Sequence, residues 1–261
     1  MEPCSWRWRR AVGTAGRPHA NLSECPVMPI RAVLFDVGGP IDTEILHEQG
    51  INSGIIAAFA ANGVTVSPAD LDVASDTAVA AFAPNTYAAM VWQLSGHDSR
   101  LYEAVWTEFR GHDEERSARR GGIELRPGIP ELLQSLQSRG LKLGLAANQP
   151  TRTIAALDAH GVGQLFAHRE VSESHGYHKP DVRLFLRACE DLDVAPRACI
   201  MVGDRIDNDI APARLLGMRT ILFRTGRHRC QQPRSPEERP DAEVTSVEGL
   251  THALESLLAE G

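Results

Sequence analysis

The chain has 261 residues, 43% of them apolar and 23% charged, with a formal net charge of −7; that length suits one large domain or one carrying a smaller one, and the apolar fraction excludes wholesale disorder. No run approaches the ~18 consecutive apolar residues of a membrane span, and the balance of 27 basic against 34 acidic residues argues against nucleic acid as a partner. Five cysteines, at 4, 25, 189, 199 and 230, include no C-x-x-C pair, so they suggest neither a disulfide scaffold nor a zinc knuckle and fit a reducing cytoplasm.

Residues 1–28 begin with Trp6 and Trp8 among Arg7, Arg9 and Arg10. They lack the apolar run of about 7–15 residues that a secretory signal needs. An Arg-rich, acid-poor start fits an organellar transit peptide; the absence of periodicity favours a disordered leader. Order is expected from Ile30–Phe35, a short apolar run that reads as a buried strand. From 45 to 122 only helical signals occur. Ser67-Pro68-Ala69-Asp70 is a capping box with proline at the first helical position. Leu101, Tyr102, Val105, Trp106 and Phe109 recur at helical spacing. Seven of the chain's fourteen aromatic residues fall in this stretch, and aromatic stripes at this spacing mark helix packing more often than a substrate pocket.

Further along, Leu141–Ala146, Ala198–Val202 and Thr220–Phe223 read as strands, with a weaker one near Phe166. Helices are expected over Ile129–Arg139, Thr151–His160 and Asp209–Leu216, each stopped by a glycine (140, 161, 217) that can close a helix in the left-handed conformation. Gln231–Pro240 reads as a polar loop, and a last helix runs from an N-cap at Ser246 to Leu258. Strands alternating with helices imply an α/β fold: a Rossmann-like parallel sheet with helices on both faces. The expected organisation is a core of 29–44 and 123–261 interrupted by an all-helical cap over 45–122.

Three clusters carry chemistry. Asp36 directly follows the first strand, with Gly38 and Gly39 behind it, and ligands of open parallel sheets bind beyond the carboxyl ends of the strands. Gly203-Asp204 follows another strand and opens a run containing Asp207, Asn208 and Asp209; three aspartates in six residues repel unless a cation compensates, and hard oxygen ligands suit magnesium. Asp207 or Asn208 would also serve to cap the following helix. Lys179 precedes Pro180, taken as a helix start. Only two of the 27 basic residues are lysine, Lys142 and Lys179, so this position carries information: a compact ammonium suits a carboxylate nucleophile and a phosphate.

The order of these elements, Asp36, Asn148, Lys179-Pro180-Asp181 and Val202-Gly203-Asp204, resembles the haloacid dehalogenase-like hydrolase superfamily over about residues 30–250. Phe185, Asp209-Ile210, Gly217-Met218 and the stretch from Arg126-Pro-Gly add to the likeness. Asp42-Thr43-Glu44 with His47 resembles the segment leading into the cap of β-phosphoglucomutase-like members. The resemblance implies a magnesium-dependent phosphatase or phosphoryl-transfer enzyme, acting on a small phosphorylated metabolite through an aspartyl-phosphate on Asp36. Magnesium would be held by Asp36, the carbonyl of Gly38, Asp204 and Asp209. Gly38, Gly39, Ala147, Asn148 and Lys179 would bind the phosphate.

Two positions depart from the family pattern. The general acid/base that the family places two residues after the nucleophile is here Gly38, and the Ser or Thr preceding Asn148 is Ala147. General acid–base catalysis is worth roughly 10²–10⁴-fold, so either Asp42 or His47 takes over the proton, or the protein is a catalytically attenuated binding or interaction member. A 2-haloacid dehalogenase, which uses no metal, is the further alternative; the acidic cluster counts against it.

Overall fold

The computed structural model describes residues 28–112 and 122–260; the expected leader, up to residue 27, lies outside them. Five strands form one parallel sheet in the order β2-β1-β3-β4-β5: β1 (Ala32–Phe35), β2 (Lys142–Leu145), β3 (Cys199–Gly203), β4 (Arg219–Phe223) and β5 (Ala242–Val244). The central strands read as unbroken apolar runs because both faces are buried. Val33 and Phe35 of β1, with Ile200 and Val202 of β3, pack into one layer. Ala32 and Leu34, with Cys199 and Met201, pack into the other.

Helices cover both layers. Over one lie α5 (Ile129–Ser138), α6 (Arg152–Ala159) and the C-terminal helix (Val247–Ala259), whose N-cap Ser246 accepts a hydrogen bond from the Gly249 amide as expected. Over the other lies the helix Val182–Asp191. It begins two residues after Pro180, with Asp181 as its N-cap.

Between β1 and β2 the chain runs through α1 (Ile45–Ala61), α2 (Pro68–Ala80), α3 (Thr86–Leu94) and α4 (Ser99–Gly111). They share their own apolar core, with Ile55, Phe59, Leu71, Met90, Val105 and Phe109 at its centre. The capping box at α2 forms in full, Ser67 and Asp70 each accepting a hydrogen bond from the other's backbone amide. Trp92 meets Tyr102 edge to face, and Tyr102, Trp106 and Phe109 stack in succession, so most of the aromatic stripe serves packing.

Two expectations need correction, and one strand was not foreseen. Near Phe166 there is no strand: the chain makes a short 3-10 turn at Gly163–Leu165 and a single bridge between Gly144 and His168. Gln231–Pro240 is a loop as expected, with one 3-10 turn at Pro236–Glu238, and beyond it lies β5, a short strand beside β4 that the sequence reading did not include. The helix placed from Asp209 is instead a π-helical turn, Ile206–Ile210, followed by a short α-helix, Ala211–Leu215.

Candidate active site

Strand register puts Phe35 opposite both Leu145 and Val202. The chain therefore leaves β1, β2 and β3 at one level, at Asp36, Ala146 and Gly203. The sheet order reverses at β1, since β2 adds on one side and β3 on the other, which opens the crevice where ligands of such sheets bind. The Asp36 amide donates to the Val202 carbonyl (2.9 Å), and the Ala146 amide donates to the Phe35 carbonyl (2.8 Å).

Lys179 reaches this level and lies buried between two carboxylates. Its Nζ is 2.8 Å from Asp36 Oδ2 and 2.6 Å from Asp209 Oδ1. Asn148 fixes it from behind: the Asn148 amide nitrogen donates to the Lys179 carbonyl (3.1 Å), and its Oδ1 accepts from the Lys179 amide (2.7 Å). Asn148 thus spends both ends of its amide on orienting the lysine. Ala147 is fully buried, and its carbonyl accepts from the Ser172 amide.

The π-helical turn carries Asp209 back over Gly203. Its Oδ2 accepts from the amides of Asp204 (3.1 Å) and Arg205 (3.0 Å). A Cβ at residue 203 would stand 2.3 Å from the Asp209 Cγ, so glycine is required there. The expected helix cap at Asp207 or Asn208 does not form. Asp207 pairs with Arg205 (2.6 Å), and the Ile206 amide donates instead to Gln231 Oε1 (2.7 Å).

Asp36, Asp204 and Asp209 gather with one oxygen each within 4.8 Å of the others. Burial raises the Asp36 carboxyl to about 6; Lys179 pulls it down and Asp209 pushes it up. Burial raises Asp204 well above its usual range, and Asp209, Glu44 and Asp36 add to the effect. Burial works against the Lys179 ammonium, but the two carboxylates beside it prevail and raise its pKa. Three carboxylates against one ammonium leave a surplus of negative charge in a dry place. Such charge demands compensation, and the all-oxygen donor set fits a hard divalent cation.

Gly39 has φ +81°, and a Cβ there would stand 2.8 Å from the Asp204 Cβ. Its carbonyl accepts from Arg126 Nε (2.9 Å), whose guanidinium also holds Thr225. Asp42 tightens the following turn, its Oδ1 accepting from the amides of Glu44 and Glu124 (both 3.1 Å). His47 Nε2 meets the Tyr87 hydroxyl at 3.2 Å.

A cavity of about 220 Å³ opens over Asp36, and its lining includes Glu44, His47, Tyr87, Lys179, Asp204 and His228. A second, of about 390 Å³, shares Glu44, His47, Asn148 and Gln149 with it and is bounded by Asp42. Sequence reasoning missed Tyr87, Arg126, Arg227 and His228 as members of the site. Arg126 alone left a signal, in the Arg-Pro-Gly stretch. His228 is pushed down to about 3 by burial, with Arg205 adding to the effect.

Similarity to known proteins agrees with this arrangement. Over 134 residues, 49% of this chain and 55% of the relative, the chain is 34% identical to glyceraldehyde 3-phosphate phosphatase of Methanopyrus kandleri. The chain spans about half the length of the curated relatives it matches. A predicted phosphoglycolate phosphatase from Haemophilus somnus superimposes over 86% of this chain and 98% of its own, with TM-score 0.64 and 19% identity. A 2-haloacid dehalogenase from Pseudomonas syringae does so over 88% and 99%, with TM-score 0.53 and 22% identity. Those two likenesses concern the fold. Residues 30–217, from the foot of β1 to the glycine that ends the turn after the aspartate cluster, match the haloacid dehalogenase-like hydrolase family, and the chain belongs to it.

Proposed function

We propose that the protein is a magnesium-dependent phosphatase that moves the phosphoryl group of a small phosphorylated metabolite onto Asp36 and then to water. The observation that carries this reading is the setting of Asp36: paired with Lys179 in the acidic cluster, it is the member most open to the cavity. Its side chain is 13% exposed, against 8% for Asp204, 1% for Lys179 and 0% for Asp209. The Lys179 ammonium 2.8 Å from Asp36 Oδ2 favours the carboxylate form, the one able to attack phosphorus.

Asp36, Asp204, Asp209 and the carbonyl of Gly38 would hold magnesium, which when bound neutralises charge on the phosphoryl group. The remaining work falls to the chain itself. Lys179, locked by Asn148, sets a point charge beside the attacking oxygen. Gly39, left-handed and without a Cβ to strike Asp204, lets the chain after Asp36 turn close against Asp204. We assign 45–122 as the cap that closes over substrate, and 29–44 with 123–261 as the core.

No helix among the described residues is long and apolar enough to cross a membrane. Cys189, Cys199 and Cys230 are free thiols, which supports a cytoplasmic setting.

Phosphate release is to be measured over a panel of phosphorylated metabolites beginning with glyceraldehyde 3-phosphate, with and without magnesium, for wild type and Asp36→Asn. Magnesium-dependent release that vanishes in the variant is the expected result. Halide release from 2-haloacids without metal would replace the reading with a dehalogenase. Silence in both assays would leave an attenuated binding protein.

A further inference from the structure

Phosphoryl transfer through Asp36 requires a group that gives a proton to the leaving oxygen and later takes one from water. Residue 38, two positions beyond the nucleophile, has no side chain to offer. The space beside it is nevertheless filled: a Cβ built on Gly38 would stand 2.5 Å from Glu44 Oε1, 2.7 Å from Glu44 Cδ and 3.1 Å from Glu44 Oε2. The carboxylate of Glu44 thus occupies the volume that a side chain at 38 would enter, and it faces the cavity that holds Asp36 and Lys179.

The backbone is bent to bring it there. Glu44 has φ 59° and ψ 8°, a left-handed conformation that is strained for a residue with a Cβ. Asp42 holds the bend by accepting the Glu44 amide, and α1 starts at the next residue. Three other acids and bases of the cavity have these partners. Asp209 is bound by Lys179 and two amides. Glu48 Oε1 accepts the Arg227 amide, and His47 meets Tyr87.

The geometry points to Glu44 as the catalytic general acid and base, a relocated carboxylate that does the work residue 38 cannot. This inference rests on the phosphatase reading above. In the first half-reaction an Asp36 carboxylate oxygen bonds to phosphorus while the bond from phosphorus to the ester oxygen breaks. The departing oxygen takes the proton of the Glu44 carboxyl and leaves as the alcohol. In the second, water bonds to phosphorus and passes a proton to the Glu44 carboxylate. The bond from phosphorus to Asp36 breaks, its electron pair returning to Asp36, and phosphate leaves with Glu44 protonated for the next cycle.

The test compares wild type, Glu44→Gln, Glu44→Gly, Gly38→Asp and the double variant Gly38→Asp/Glu44→Gly with magnesium, using an alkyl and an aryl phosphate, and quenches for phosphoenzyme. Glu44→Gln should lose about 10²–10⁴-fold in steady-state turnover of the alkyl phosphate. With the aryl phosphate, whose leaving group needs no proton, it should keep its first turnover and accumulate phosphoenzyme. Gly38→Asp alone should be impaired by collision with Glu44. The double variant, with space cleared and a carboxylate at 38, should exceed Glu44→Gly in turnover. Magnesium affinity of Glu44→Gln, followed by calorimetry, should match wild type.

If wild type turns over and Glu44→Gln does so at a similar rate, Glu44 is not the proton carrier, although the phosphatase reading survives. The same holds if the double variant is no better than Glu44→Gly, or if Glu44→Gln loses magnesium affinity without accumulating phosphoenzyme. If wild type itself releases no phosphate in the presence of magnesium, the phosphatase reading falls and Glu44 falls with it.

Discussion

Asp204 shows how much of this protein's chemistry is a matter of crowding. Its carboxylate is buried beside those of Asp209 and Asp36, and a buried anion without full compensation opposes folding. Asp204→Asn should therefore raise the metal-free melting temperature while abolishing the further rise that magnesium gives wild type, both read in one thermal-shift titration. A variant that keeps the magnesium response would remove Asp204 from the metal site. His168 offers a pH test away from this cluster. It is 2% exposed, and its Nδ1 lies 2.9 Å from Asp191 Oδ2. Burial holds its pKa below the usual 6.5, against the pull of Asp191. Above that pH the ring is neutral both folded and unfolded. Below it the unfolded chain takes a proton that the folded one declines, so stability falls with falling pH. His168→Gln should flatten the decline in melting temperature between about pH 6.5 and 5. At this scale the sequence was readable where a residue type was rare or repeated: Lys179 stood out among arginines, and Asp204 among neighbouring acids. Glu44 was legible only as part of the approach to the cap. Its role depends on a left-handed bend and on an absent side chain at 38, and no spacing rule records either.

At the scale of elements, the buried strands declared themselves through unbroken apolar runs, and the helices through caps and glycine stops. β5 escaped because it is three residues long, Ala-Glu-Val, with its middle residue exposed. The π-helical turn escaped because Asp209 folds back over Gly203 and the Ile206 amide is taken by Gln231, 25 positions on, contacts that helical periodicity does not record. Gly144 in β2 looks like a weak strand residue, yet a Cβ there would stand 2.8 Å from Leu34 Cδ2 and 3.0 Å from Leu192 Cδ1. β2 must lie close to what covers it. Gly144→Ala should therefore cost about 1–3 kcal/mol by overpacking, although alanine is ordinarily the better residue in a strand. Chemical denaturation would measure it, and a stabilised variant would refute the close approach.

At the scale of the whole molecule, Arg227 is one of the residues that tie the inserted helices to the sheet. Arg227, in the loop after β4, donates from Nη2 to Asn52 Oδ1 on α1 (2.8 Å) and from Nη1 to Ser75 Oγ on α2 (3.0 Å), while its own amide donates to Glu48 (2.9 Å). Its guanidinium lies 5.6 Å from the Tyr87 ring centre on α3. Bonds from a charged donor contribute about 1.5–3 kcal/mol each. Arg227→Ala should speed amide exchange in α1 and α2 by about tenfold or more and leave β1 and β3 unchanged. Equal acceleration in the sheet would mean that Arg227 supports the fold as a whole rather than the seating of the helices. The sequence could announce neither contact, because the partners lie some 150–175 positions apart.

The scarcity of lysine has an analytical consequence. A protease that cuts only after lysine, and not before proline, finds one susceptible bond in all 261 residues, Lys142–Leu143, because Lys179 is followed by Pro180. That bond lies in β2, where Lys142 pairs with Ala32 and Leu143 with Val33, and Lys142 Nζ is tied to the Leu192 carbonyl. An extended chain must leave the sheet before a protease cleft can take it. Cleavage into two fragments at residue 142 would therefore count molecules in which the edge strand β2 has left β1, and the native protein would report that opening without any label.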